Sequence, residues 1–135
     1  MAPSLARYQP QLLGILRIVA GLLFLAHGLV KVFGFPPEAQ PGAQELMSFM
    51  GFAGLIELVA GTLILLGLFT RVAAFIASGE MAFAYWIGHA HSSIYPVING
   101  GDAAILFCFL FLYLTAAGPG AFSLDAMRHK SGWRR

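Results

Sequence analysis

Four long apolar runs, separated by two proline- and glycine-containing loops and one tight link, limit what this chain can fold into more than any other feature. The first runs from Leu12 to Phe33 and contains Arg17, His27 and Lys31 as its ionisable groups. A helix needs about 20 apolar residues to cross the hydrocarbon layer of a bilayer. The second run covers about residues 49–69 and follows a break at Pro41-Gly42. The third, about 72–88, is shorter and ends on Tyr85 and Trp86, side chains suited to a membrane interface. The fourth, about 102–117, stops at Gly118-Pro119-Gly120, where proline and glycine end a helix. The expected fold is all-α: a four-helix transmembrane bundle forming one domain over residues 1–135. The first run is too long for the h-region of a cleavable signal peptide, which has about 7–15 residues, and no Ala-x-Ala-like site follows it.

Charge supports this reading and adds an orientation. Of 135 residues, 59% are hydrophobic and 10% are charged. A soluble domain carries about 25% charge, so this chain has too little to cover a water-facing surface. Outside the apolar runs, the basic residues fall in three places: Arg7, Arg71 in the tight link between the second and third runs, and a tail with Arg128, Lys130, Arg134 and Arg135. The first loop carries Glu38 and Glu45 without Lys or Arg, and residues 89–101 carry neither Lys nor Arg. The positive-inside rule then predicts an N-in, C-in arrangement, with residues 118–135 as a cytoplasmic basic tail. No companion basic patch accompanies that tail, so nucleic-acid binding is not expected. Cys108 is the single cysteine. It excludes an internal disulfide and a Cys-x-x-Cys dithiol, and it reads as a small buried hydrophobe.

Helix packing in lipid depends on small residues that let backbones approach. Gly14, Gly21 and Gly28 are seven apart, as are Gly54 and Gly61. A period of seven keeps such residues on one stripe of a helix. Arg17, Phe24 and Lys31 share the first stripe, so Arg17 is expected to point inward and pair with Glu80 or Glu57. Ser123 is expected to cap a short surface helix in the tail.

Ionisable groups inside a membrane span are costly and mark working sites by default. The candidate polar interior comprises Arg17, His27, Glu57, Glu80 and Asp102, with His27 expected near Glu57 or the outer loops. These charges either lock helix register or form a proton- or ion-linked site, a quinone headgroup pocket or a docking site. His27 and Arg17 would supply the donors to quinone carbonyls. His89 and His91 are two residues apart, a spacing that does not share a helix face, and no metal site is expected.

In order along the chain, Arg17, Gly28-x-x-Lys31, Glu57-x-x-x-Gly61, Gly67-x-x-Thr70-Arg71, Asn99-Gly100-Gly101-Asp102 and Gly118-Pro119-Gly120-x-x-Ser123-x-Asp125 resemble the DoxX family of small bacterial membrane proteins. The resemblance covers nearly the whole chain. Asp102 stands where the family pattern has Glu, which keeps the charge and shortens the reach. The resemblance implies a multi-pass protein of the bacterial cytoplasmic (inner) membrane. Its implied function is a membrane component of a redox system linked to sulfur or thiol chemistry or oxidative stress, with the quinone pool as a possible partner. Some relatives work with a soluble superoxide dismutase and a sulfurtransferase, which implies soluble redox enzymes at the cytoplasmic face. A non-catalytic membrane anchor or assembly factor is the alternative. A small carrier or channel is the third reading, and it would need oligomerisation to make room for alternating access.

Overall fold

The computed structural model describes residues 4–132. The tail residues Trp133, Arg134 and Arg135 lie outside the described residues. Six α-helices and no strand are present among the described residues: α1 (Gln9–Phe33), α2 (Phe49–Leu66), α3 (Thr70–Ala84), the single turn α4 (Pro96–Asn99), α5 (Asp102–Ala117) and α6 (Leu124–Gly132). A 3-10 turn, Leu5–Tyr8, leads into α1, and a π-helical turn, Tyr85–His89, extends α3. The segment Leu5–Phe33 and helix α2 are each long and apolar enough to cross a membrane, and α5 is a shorter apolar helix.

Local chemistry explains most of the boundaries. Ser48 caps α2 by accepting from the Gly51 amide at 3.0 Å. α2 stops at Leu66, three residues before the end of its apolar run, because Gly67 turns left-handed at φ 66°. Phe69 follows with φ 49°, so α3 starts at Thr70. Ser123 caps α6 through the Ala126 amide.

The most extensive helix contact is the antiparallel seam between α1 and α2. A Cβ on Gly21 would lie 2.6 Å from the Leu65 amide nitrogen, and one on Gly28 would lie 2.5 Å from that of Leu58. From the other side, a Cβ on Gly61 would come within 2.7 Å of the Leu25 amide nitrogen. The partner falls by seven as the glycine rises by seven, so the register holds over the whole seam. Next to it, Phe24 packs edge-on against Phe111 at 4.9 Å. Ala73, Ala74 and Ala77 bring α3 into the same core. The outward faces are apolar as well, with Leu22, Phe52, Phe75, Phe83, Leu106 and Phe109 all exposed.

One end of the molecule, here called the tail end, is tied together by Arg17. This side chain is fully buried. Its Nε donates to Pro119 O at 2.7 Å. Nη1 donates to Ile64 O at 2.8 Å and Leu65 O at 2.7 Å. Nη2 donates to Ala121 O at 3.1 Å and Phe122 O at 2.8 Å. A guanidinium has five N–H donors, and all five are used. Two of the acceptors belong to the last turn of α2, where Ile64 O also accepts from the Gly67 amide and the helix dipole favours a cation. The expected pairing of Arg17 with Glu80 or Glu57 is therefore replaced by backbone carbonyls. No donor remains for a carboxylate or a ligand.

The same polarity rule recurs at two neighbouring helix ends. Arg71 donates through Nη1 to Thr115 O at 2.9 Å and to Ala116 O, at the C-terminus of α5. Asp125 accepts from the Phe69 amide at 3.0 Å, the Thr70 amide at 2.9 Å and the Thr70 hydroxyl at 2.8 Å, at the N-terminus of α3. The tail also reaches the start of α1, where the Ala121 amide donates to Pro10 O at 2.8 Å.

Replacing Arg17 with Gln should destabilise the fold by at least about 3 kcal/mol, because several buried carbonyls lose a charged donor. Arg17→Lys should recover only part of this, having three donors in place of five. Thermal unfolding in lipid of the three proteins checks the order. Burial pushes the Asp125 carboxyl up, but the hydrogen bonds from Thr70 and Phe69 and the charge of Arg128 together hold it below its ordinary value. A depressed carboxylate stabilises docking above its unfolded value, about pH 4, and that contribution is lost as pH falls through the folded value. Amide exchange over residues 124–130, corrected for intrinsic rates, should rise below about pH 4. In Asp125→Asn it should already be fast at neutral pH and show no such step.

Candidate functional site

At the opposite end, called here the loop end, the seam carries a buried ion pair. Gly28 lies against the α2 backbone and brings Lys31 over Gly54, where a Cβ would come within 2.6 Å of the Lys31 Cβ. That missing methyl leaves a path for the lysine to run along α2. Lys31 Nζ reaches Glu57 Oε1 at 2.6 Å, with the two side chains 12% and 2% exposed. The second carboxylate oxygen, Glu57 Oε2, is buried and has no hydrogen-bond partner among the described residues.

This pair borders a cavity of about 200 Å³ that is also lined by His27, Met81, His89 and Phe107. His89 ends the π-helical turn, and its Nδ1 lies 3.0 Å from Asn99 O. Its ring stacks on Tyr85 with centroids 6.5 Å apart. The loop from Asn99 holds this side in shape. Asn99 Oδ1 accepts from the Gly101 amide at 2.8 Å, and Nδ2 donates to Ser93 O at 2.9 Å and to the Tyr85 hydroxyl at 3.3 Å. Gly101 lies flat on the Tyr85 ring, where a Cβ would approach Cε2 to 2.6 Å. The Asn-Gly-Gly motif thus builds the wall that carries His89.

The five sequence candidates separate in space. Glu57 is at the cavity and His27 at its lip. His27 is exposed and edge-on to Phe107 at 6.2 Å, so it borders the polar site without being enclosed by it. Its position explains this: it lies one residue off the stripe shared by Phe24, Gly28 and Lys31, a rotation of about 100° on a helix. Arg17 is at the tail end with every donor used. Asp102 is exposed and is the first residue of α5. It favours that helix N-terminus electrostatically and does not belong to a polar interior. Glu80 lies on α3 in a separate groove between α2 and α3. His91 is exposed, and among the described residues no three His, Cys, Asp or Glu side chains gather to hold a metal.

Lys31 is the site residue that the sequence candidates lack. Its signal was present. Lys31 shares the seven-residue glycine stripe of the first run, which turns it toward the packed face of that helix. His89 carries no such signal, because its position depends on a loop. Chemically, the cavity offers an ammonium, two imidazoles and one free carboxylate oxygen. Such a set can hold a small polar group and exchange protons with it.

A family model described as DoxX matches residues 12–90. The chain is 43% identical over 126 residues to an uncharacterised protein of Haemophilus influenzae, covering 90% of this chain and 94% of that one. It is 29% identical over 123 residues to inner membrane protein YqjF of Escherichia coli, covering 84% and 89%. A shorter match, 40% identical over 60 residues, covers 43% of this chain and 45% of CatD of Bacillus subtilis, named as a candidate oxidoreductase. No solved structure matches the chain.

Removing one partner of a buried ion pair leaves the other charge uncompensated, at about 3–5 kcal/mol. Lys31→Met and Glu57→Gln should each destabilise on that scale. The double variant should be less destabilised than the two effects added together. Unfolding of all four proteins in lipid measures the coupling, and strict additivity would mean that the pair contributes nothing.

Proposed function

Since the chain belongs to the DoxX family, we propose that it is the membrane component of a redox system linked to sulfur or thiol chemistry, with the loop-end cavity as its working site. It is a bacterial inner-membrane protein. In this reading α1, α2, α3 with its π-helical turn, and α5 each cross the bilayer, with both chain ends in the cytoplasm. Three observations favour four crossings. The turn carrying Arg71 and the start of the tail pack at the same end as the start of α1. The outward faces of α3 and α5 are as apolar as those of α1 and α2. The 20 residues Thr70–His89 rise about 30 Å, the thickness of the hydrocarbon layer.

The observation that carries the functional reading is the Lys31–Glu57 pair beside a cavity, with one carboxylate oxygen unpartnered among the described residues. A structural ion pair has no need of adjoining space, whereas a headgroup site does. Lys31 and His27 are the donors available to a quinone carbonyl, and Glu57 is the group that would exchange the proton. Arg17 drops out of this role.

The test uses the purified full chain in nanodiscs with a short-chain ubiquinone. Saturable quinone binding is expected, weakened at least tenfold in Lys31→Met and Glu57→Gln. Addition of thiosulfate, alone or with a soluble partner fraction, should then reduce the quinone. Absence of quinone binding to the wild-type chain would remove the quinone version of the reading.

One observation favours a non-catalytic anchor as the second reading. The basic helix α6 is held to the tail end by the Arg17 and Asp125 contacts, so Arg128 and Lys130 stand on a fixed platform. Loss of soluble-partner recovery when α6 is removed, with no quinone binding by the intact chain, would support that reading over the first.

A further inference from the structure

The groove between α2 and α3 differs in kind from the polar cavity. It encloses about 340 Å³ and is lined by Phe49, Phe52, Phe75 and Phe83, by smaller apolar side chains, and by one polar group, Glu80. Glu80 Oε2 is buried and has no hydrogen-bond partner among the described residues. Beside it, Gly79 is a glycine that no packing requires, since a Cβ there would meet nothing within 4 Å. The absent side chain keeps the groove open next to the carboxyl.

Charge is unbalanced in this region. Glu80 lies within electrostatic range of both Glu57 and Lys31. Lys31 is bonded to Glu57 Oε1, so two carboxyls share one ammonium. His27, which also acts on Glu57, faces the other cavity. A carboxyl in a water-poor groove ionises only at a cost, which a bound cation would offset. Aromatic faces attract cations through their quadrupoles and are the usual lining of quaternary-ammonium sites. A primary ammonium would bring three N–H donors, whereas the groove offers a single carboxyl as acceptor. A fully substituted cation has no N–H group to satisfy.

We propose that the α2–α3 groove is a binding site for an amphipathic organic cation of the quaternary ammonium or phosphonium type, its charge against Glu80 and its apolar body among the four phenylalanines. This site is separate from the Lys31–Glu57 cavity and does not rest on the redox reading.

The test is equilibrium dialysis of labelled tetraphenylphosphonium against the full chain in phosphatidylcholine nanodiscs, with empty nanodiscs as the blank. One saturable site per chain is expected. Dodecyltrimethylammonium should displace the probe, and the uncharged dodecanol should not. Glu80→Gln should weaken binding at least tenfold. Gly79→Leu should fill the groove and abolish binding while leaving the thermal midpoint unchanged, which keeps the test decisive if Glu80→Gln folds poorly. Binding equal to the blank would overturn the proposal. So would wild-type affinity in Glu80→Gln or in Gly79→Leu, or displacement by dodecanol as effective as by the ammonium, which would make the groove a seat for lipid chains.

Discussion

The fold depends on one guanidinium. Buried in a dry interior, Arg17 would be a severe cost to any helical assembly. Five carbonyl oxygens offset that cost, and they come from two separated parts of the chain: the last turn of α2 and the segment between α5 and α6. Because the acceptors are backbone atoms, the contact fixes the positions of those segments as well as the charge. The end of α2 is held against α1, and the glycine seam continues that alignment along both helices. Lys31 meets Glu57 far from Arg17 because the register set at one end is kept to the other.

The two ends divide differently between order and opportunity. At the tail end, cations sit on helix C-termini and an anion sits on a helix N-terminus, and the polar groups involved have partners. At the loop end, two carboxyl oxygens, one on Glu57 and one on Glu80, are buried without partners among the described residues. Unsatisfied buried polar atoms are rare in stable proteins and call for an explanation. Here they border two spaces of opposite character, one polar and one aromatic.

Much of the helical layout was legible in the sequence, because run length and glycine spacing act directly on helices in lipid. The bounds of α5 follow from the stop at Gly118-Pro119-Gly120 and the cap on α6 from Ser123. The partners of Arg17 were not legible. A carbonyl oxygen belongs to every residue and leaves no trace in side-chain identity, so a search for acidic partners pointed to Glu57 and Glu80. His27 and Asp102 are exposed for readable reasons: one is off the buried stripe, at the edge of the cavity, and the other occupies the first turn of a helix. Glu57 and Glu80 were recognisable as unusual, but their separation into two spaces depends on which face of each helix packs, and that is set by tertiary contacts. The family motifs also divide by place. Gly67-x-x-Thr70-Arg71 and the Gly-Pro-Gly segment with Ser123 and Asp125 build the tail-end network, whereas Gly28-x-x-Lys31, Glu57 and Asn99-Gly100-Gly101 build the cavity.

The reach of Arg17 has a consequence for biosynthesis. Three of its five acceptors, Pro119, Ala121 and Phe122, lie more than a hundred positions later in the chain. While the ribosome is still making the middle helices, those oxygens do not yet exist, and the first helix holds a charge that its own surroundings cannot satisfy. Its guanidinium must stay near water, lipid headgroups or the insertion machinery until synthesis is almost complete. The segment made near the end therefore finishes the helix made first. A nascent chain halted before Pro119 keeps an unsatisfied arginine within its first helix, and this marks it chemically as unfinished.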